Sequence, residues 1–316
     1  MDAKDWPGEA SAVSTVRFEI EDRDARLPLV CRYPAEGQAK GIVVFCHGLG
    51  GHGGDHVELS TFLASHGYLV IHPTFPDGTA ALAAAARELG FAPDGPEVSK
   101  WIIFPPLRDR MFQILHTPHY WMERIRIVAA VMDNLAAIQA KTIGASSTPL
   151  PAAIAGHSFG AYTSQLLTGA EIDMPGEGPR SFRDRRFAAA VLLSGQGRGQ
   201  QGLREGSWEA MDGAVLTVTG TLDGGAKGQD WNWKTEPFHH APAGDKYLAV
   251  LHEADHFLGG MTDNDPTPGH PAQREAVSML TLAFLDAHLA DDEKARAWLT
   301  ALDDRIADWP AQFMRK

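Results

Sequence analysis

Strands that alternate with helices along most of the chain predict an α/β fold, a mostly parallel sheet covered on both faces. Three observations carry that prediction. Continuous apolar, β-branched runs such as 41-GIVVFCHG-48 and 68-YLVIHPTF-75 read as strands buried on both sides. Segments with helical spacing separate such runs. No internal repeat and no long low-complexity linker divides the 316 residues, so 1–316 read as a single domain.

The elements follow in order. Residues 14-STVRFEI-20 and 27-LPLVCRYP-34 form two strands around the polar turn EDRDAR. The strand 41–48 leads into the loop HGLGGHGGDH, then a helix over 56–67 and the strand 68–75. Residues 122-MERIRIVAAVMDNLAAIQA-140 have the clearest amphipathic helical pattern. Next come the strand 152-AAIAG-156, the helix 159-FGAYTSQLLTG-169 and the strands 188–195, 213–220 and 246–254. Residues 271–289 and 291–306 read as helices. The stretch from Phe75 to Tyr120 is too long for a simple connection. It holds 101-WIIFPPLRDRMFQILHTPHYW-121 and reads either as a packed excursion or as a cap-like insertion, 76–120, following the fourth strand.

Composition narrows the function. A net charge of −12 disfavours a nucleic-acid backbone as the main partner and leaves a small uncharged molecule open. No run approaches the roughly 20 apolar residues of a membrane span. The first residues, MDAKDWPGEASAVS, lack the basic and apolar regions of a signal peptide, so a cytoplasmic protein is expected. Cys31 and Cys46 both lie in strand-like runs and read as buried thiols rather than a disulfide.

The chemistry centres on 152-AAIAGHSFGAYTS-164, where Gly156-His157-Ser158-Phe159-Gly160 matches G-x-S-x-G. A strand that turns sharply into a helix strains the serine between them and exposes its hydroxyl. Glycines on either side let neighbouring backbone pass without a Cβ clash. The other reading makes Ser158 a helix N-cap. A serine hydroxyl needs a base to take its proton and an acid to orient that base. In chains built this way the order is Ser, acid, His, each after its own strand. Asp223 follows the strand 213-GAVLTVTG-220, and His256 follows 246-KYLAVLHEA-254. Glu253, Asp255 and Asp263 compete for the acid role, although Asp255 adjoins His256 and is poorly placed to face it. An oxyanion hole needs backbone N–H groups. The residue after the nucleophile, Phe159, supplies one, and Leu49 in the Gly-rich loop 47-HGLGGHGG-54 the other.

With these residues in place the chain resembles the α/β-hydrolases. More narrowly it resembles the serine esterases related to dienelactone hydrolase and to platelet-activating-factor acetylhydrolase. HGLGG at 47–51 with LASHGYLV at 63–70, GHSFG at 156–160, and the TGTLDG and ADHF segments carry the likeness over roughly residues 15–290. It implies an eight-stranded, mostly parallel sheet and hydrolysis of esters through an acyl-serine. Ser158 is then the nucleophile, His256 the base, Asp223 the acid, and Leu49 and Phe159 the oxyanion donors. Two departures limit it. Dienelactone hydrolase carries cysteine as nucleophile, where this chain has Ser158. The acetylhydrolase branch places its acid after the strand that reads AVLLSG here, and this chain has Ser194 there.

Other signals point elsewhere. His47, His52 and His56 lack a zinc-ligand pattern, so no metal and no cofactor is expected, and His47 reads as a support for the oxyanion loop. Residues 197-GRGQQG-202 match a dinucleotide fingerprint but lie too deep in the chain to open a βαβ unit. Trp231, Trp233 and Phe257 either build a substrate pocket or pack against the sheet end. The expected substrate is a small or medium carboxylic ester. An amide, peptide, thioester or polyester suits the same residues, and a binding protein on a hydrolase scaffold is the reading from another class.

Overall fold

Buried strands need neighbours on both sides, and the sheet arranges them so that the longest apolar runs lie in the middle. The computed structural model describes residues 6–22, 25–144, 149–262 and 269–316. Its strands are β1 (Val13–Asp22), β2 (Ala25–Pro34), β3 (Gly41–Cys46), β4 (Tyr68–Pro73), β5 (Ala152–His157), β6 (Glu171–Met174), β7 (Gly178–Ser181), β8 (Phe187–Leu193), β9 (Ala214–Gly220), β10 (Lys246–Leu251), β11 (Arg305–Ile306) and β12 (Trp309–Arg315). Ten of them form one sheet in the order β1-β2-β4-β3-β5-β8-β9-β10-β12-β11, and β6 pairs with β7 in a separate hairpin. From β4 to β10 neighbouring strands run parallel, while β1, β2, β12 and β11 add antiparallel edges.

Helices cover both faces. They are α1 (Val57–Ser65), α2 (Thr79–Glu88), α3 (Pro96–Ser99), α4 (Pro105–Leu115), α5 (Pro118–Asp133), α6 (Leu135–Lys141), α7 (Phe159–Leu167), α8 (Glu236–His240), α9 (Pro271–Leu289) and α10 (Glu293–Ala301). Successive strand side chains point to opposite faces. Accordingly Ile42 and Val44 of β3 pack with Val128 of α5 and Tyr162 of α7. Val43 and Phe45 pack on the other face with Leu63 of α1 and Phe284 of α9. No helix among the described residues is long and apolar enough to cross a membrane.

The structure departs from the sequence expectation in three places. The sheet has ten strands rather than eight. The additional two come from the tail, where the expected helix 291–306 stops at Ala301 and the chain returns as β11 and β12 along the edge of β10. A half-exposed edge strand that contains Pro310 lacks the continuous apolar run that marked the buried strands. The helix expected over 122–140 begins earlier and is two helices, separated at Asn134, whose amide donates back to the Ala130 carbonyl at 2.9 Å. The stretch 76–120 holds α2, α3, a short 3₁₀ turn at Trp101–Ile103 and α4. Leu82, Ala86, Trp101, Leu107 and Met111 give these pieces a small apolar cluster of their own.

Candidate active site

The turn from β5 to α7 holds Ser158 at φ 55° and ψ −117°. A residue with a Cβ resists that conformation, and close packing keeps it there. A Cβ on Gly156 would lie 2.3 Å from the Gly160 carbonyl carbon, and one on Gly160 would lie 1.8 Å from the Cys46 carbonyl oxygen. The two glycines therefore let β5, α7 and the end of β3 converge on one point. The Ser158 N–H donates to the Leu193 carbonyl of β8 at 2.9 Å, which fixes the turn to the sheet.

Parallel register aligns the next two strand ends, with Gly220 of β9 opposite Leu251 of β10. Their loops then join: Thr221 N–H donates to the Leu251 carbonyl at 3.0 Å, Leu222 N–H to the Ala254 carbonyl at 3.0 Å, and Glu253 N–H to Thr221 Oγ1 at 2.8 Å. A Cβ on Gly220 would meet the Ala254 carbonyl at 2.1 Å, so glycine is what allows this approach. The result brings Asp223 and His256 to Ser158. His256 Nε2 lies 2.9 Å from Ser158 Oγ, and His256 Nδ1 lies 2.9 Å from Asp223 Oδ1. Thr219 Oγ1 donates to Asp223 Oδ2 at 2.8 Å.

Of the competing acids, Asp255 accepts from the Phe257 N–H at 2.9 Å. Glu253 is exposed in a left-handed turn (φ 54°), and Asp263 lies outside the described residues. Ser194 Oγ donates to the His256 carbonyl at 3.0 Å and so braces the loop that carries His256.

Asp223 is fully buried, and burial by itself raises a carboxyl pKa. The ammonium of Lys234 and the His256 ring beside it overcome that effect and hold the carboxyl well below its ordinary range. Lys234 was not expected from the sequence. Its Nζ lies 3.2 Å from Asp223 Oδ1 and 3.3 Å from His256 Nδ1, and it donates to the Ser194 carbonyl at 3.2 Å. The available signal was a lone charge inside the aromatic run 231-WNWKT-235.

The Gly-rich loop after β3 is held from behind by Arg124 of α5. This guanidinium is fully buried. It pairs with Asp77 (Nε to Oδ2, 2.7 Å), donates to the carbonyls of His47 (2.8 Å) and Gly48 (3.4 Å), and lies between the rings of Phe75 and Phe159. His47 fastens the same loop, accepting from the Phe75 N–H at Nε2 (3.0 Å) and donating from Nδ1 to the Gly48 carbonyl (2.7 Å). A trans peptide points its N–H opposite its C=O. With the Gly48 carbonyl turned toward Arg124, the Leu49 N–H faces the other way. The Phe159 N–H opens the first turn of α7, where helix donors have no internal acceptor. Among the described residues neither N–H has a hydrogen-bond partner. Arg124 also went unnoticed in the sequence, yet it shares the phase of Ile127, Val128 and Val131, an apolar face on which a charge is out of place.

A cavity of about 240 Å³ opens over Ser158. Trp233 and Phe257 line it, as does Leu49. Trp231 instead packs beside Phe238, Leu248 and Val250 under the sheet edge. Trp101, Ile102, Phe112 and Leu115 of the 76–120 stretch form an apolar wall of the cavity, and Gln196 and Gln200 of the loop after β8 face it. The glycines of 197-GRGQQG-202 lie in that loop and open no helix.

Buried histidines surround the site. Burial pushes His47, His56 and His72 well below the ordinary histidine range, with neighbouring positive charge adding to it. His157 is lowered to about 3 by burial and by the nearby His256.

No family model matches the chain, and no curated protein matches it by sequence. Among solved structures it is similar to a PEG-bound complex of a cold-adapted esterase from an Arctic intertidal metagenomic library, at 19% identity and a TM-score of 0.56. The match covers 90% of this chain and 99% of that one. The two proteins share a fold: a large, largely parallel sheet flanked by helices.

Proposed function

We propose that this protein is an α/β-hydrolase that cleaves carboxylic esters through an acyl-serine. The observation that carries the reading is the His256 ring, 2.9 Å from the Ser158 hydroxyl on one side and 2.9 Å from the buried Asp223 carboxylate on the other. Ser158 Oγ attacks the ester carbonyl while His256 Nε2 takes its proton. Asp223 holds His256 Nδ1–H and stabilises the imidazolium that forms. The carbonyl oxygen becomes an oxyanion, met by the N–H groups of Leu49 and Phe159. Collapse of this intermediate breaks the ester C–O bond, and His256 returns the proton to the departing alcohol. Water, deprotonated by His256, then attacks the acyl-serine and releases the acid. The esterase with the same fold supports this reading.

The stretch 76–120 acts as a cap whose apolar side contacts substrate. A cavity of about 240 Å³ is smaller than the roughly 300–1,000 Å³ of sites for drug-sized ligands. Short acyl chains are therefore the expected substrates. The test is hydrolysis of p-nitrophenyl esters with acyl chains of two to sixteen carbons, wild type beside Ser158→Ala. Turnover peaks at the short end and falls by roughly 10⁴-fold or more in the variant. A folded wild type that cleaves none of the series overturns the assignment.

A further inference from the structure

The cavity over Ser158 has two unlike ends, and the order of the strands sets them apart. β5, which leads into Ser158, has β3 and β4 on one side and β8, β9 and β10 on the other. The 76–120 stretch follows β4, so Trp101, Ile102, Phe112 and Leu115 wall the cavity at one end. Gly224 and Ala226, in the loop after β9 that carries Asp223, line it at the other, with Phe257 beside His256 after β10.

The cap end is closed. Trp101 is only 2% exposed and Leu115 only 7%. The Trp101 indole packs on the oxyanion loop, where a Cβ on Gly50 would lie 3.1 Å from the ring. The Leu115 carbonyl accepts from Trp121 Nε1 at 2.8 Å, which fixes the end of α4 to α5. Gln200 Oε1 meets His116 Nε2 at 3.4 Å, so the loop after β8 seals against the cap. A close-packed wall held at this many points does not yield to a longer chain. The other end has a low rim. Gly224 and Ala226 are exposed, and neither has a side chain larger than a methyl group to close it.

Reaction geometry assigns the two ends. In the tetrahedral intermediate the attacked carbon bears Ser158 Oγ, the oxyanion, the acyl carbon and the alcohol oxygen. The oxyanion faces the N–H groups of Leu49 and Phe159. The alcohol oxygen must come within hydrogen-bond reach of His256 Nε2 to receive its proton. The alcohol therefore leaves over the loops of Asp223 and His256, and the acyl chain is directed toward the cap. We infer that the substrate is an ester of a short acid with a bulky alcohol. The closed end limits the length of the acyl chain, and the low rim lets the alcohol extend out of the cavity. This inference rests on the ester-hydrolase reading and adds the substrate class to it.

Two ester series, followed by pH-stat, test it. One varies the acid: ethyl acetate, ethyl butanoate and ethyl hexanoate. The other varies the alcohol: ethyl, benzyl and 2-phenoxyethyl acetate. Each kcat/KM is divided by the rate of hydroxide-catalysed hydrolysis, which removes the ester's own reactivity. For wild type the corrected value falls by about a hundredfold from acetate to hexanoate. Across the three acetates it stays level or rises. Ile102→Ala lengthens the closed end, and hexanoate gains about tenfold relative to acetate. Ala226→Phe raises the rim, and 2-phenoxyethyl acetate loses about tenfold relative to ethyl acetate. Neither position is fully buried, and circular dichroism checks that both variants fold. A level acid series, an alcohol series that falls as steeply, or a substitution that leaves its own series unchanged or acts on the other overturns the inference, while turnover of ethyl acetate leaves the esterase reading standing. If no ester of either series is cleaved, both fall together.

Discussion

The two halves of the site are held by different means. Ser158, Asp223 and His256 are placed by backbone: a strained turn between glycines, parallel register at the ends of β9 and β10, and loops joined through main-chain hydrogen bonds. The loop 47–51 is placed by a side chain, a buried guanidinium that grips two carbonyls and is neutralised by Asp77. The first kind of placement survives many substitutions, because register and glycine positions belong to the sheet. The second leans on one residue more than 70 positions away in sequence, with the His47 ring and the hydrogen bond from the Gly50 N–H to the Asp77 carbonyl fastening the same loop.

The sharpest break is chemical. Asp223→Asn leaves the backbone scaffold unchanged but cannot hold the His256 tautomer, so kcat falls about 10⁴-fold. Ester turnover with circular dichroism on the same sample checks this, and near-wild-type kcat would remove Asp223 from its role. Next in size is Arg124→Met. It strands the Asp77 carboxylate in the interior and costs about 3–5 kcal/mol in urea unfolding. Arg124→Lys does not restore activity, because an ammonium cannot serve two carbonyls and a carboxylate in one plane. If Lys substitutes freely, the loop is not held as described.

A third effect falls on the whole molecule as a function of pH. His47, His56, His72 and His157 are held neutral by burial, with folded-state pKa values below the unfolded value of about 6.5. Below about pH 6.5 the unfolded chain takes up protons that the folded chain refuses, so stability falls as pH falls. Each histidine adds a slope of up to about 1.4 kcal/mol per pH unit. Asp223 acts in the same direction in a lower window, because its depressed carboxyl contributes stability that is present above about pH 3.9 and lost beneath it. Thermal unfolding from pH 8 to 5 should show a Tm that is level above 7 and drops steeply below 6.5. A level Tm down to pH 5 contradicts the buried neutral state.

The smallest effect belongs to Lys234, which sharpens the comparison from inside the backbone-held half. Lys234→Met removes a charge beside Asp223, but Thr219 and His256 still hold the carboxylate, so kcat falls by only about tenfold. A loss as large as that of Asp223→Asn would make Lys234 an equal partner in placing His256.

This contrast also marks what could be read from sequence. The strands β3, β5, β9 and β10 and the residues that end them were legible, because each announces itself within about ten residues as an apolar run followed by Gly, Ser, Asp or His. What escaped was built by distant side chains. Arg124 meets the loop at 47–48 only after α5 packs on β3, and Lys234 reaches Asp223 only once the loop after β9 folds back. Trp231 and Trp233 look alike in sequence, yet one packs under the sheet edge and the other lines the cavity. The strands β11 and β12 escaped because an antiparallel edge needs no buried apolar run.

The two thiols give the molecule a practical property. Burial pushes Cys31 and Cys46 up to about 12. Thiolate is the reactive form of cysteine, so two thiols that are buried and held protonated react slowly at neutral pH. A fluorophosphonate probe aimed at Ser158 meets no competing sulfur nucleophile. A cysteine introduced on the surface is likewise the single point at which a maleimide dye attaches. The chain can therefore report on its own active site and carry an optical label at the same time, with its natural cysteines left in place.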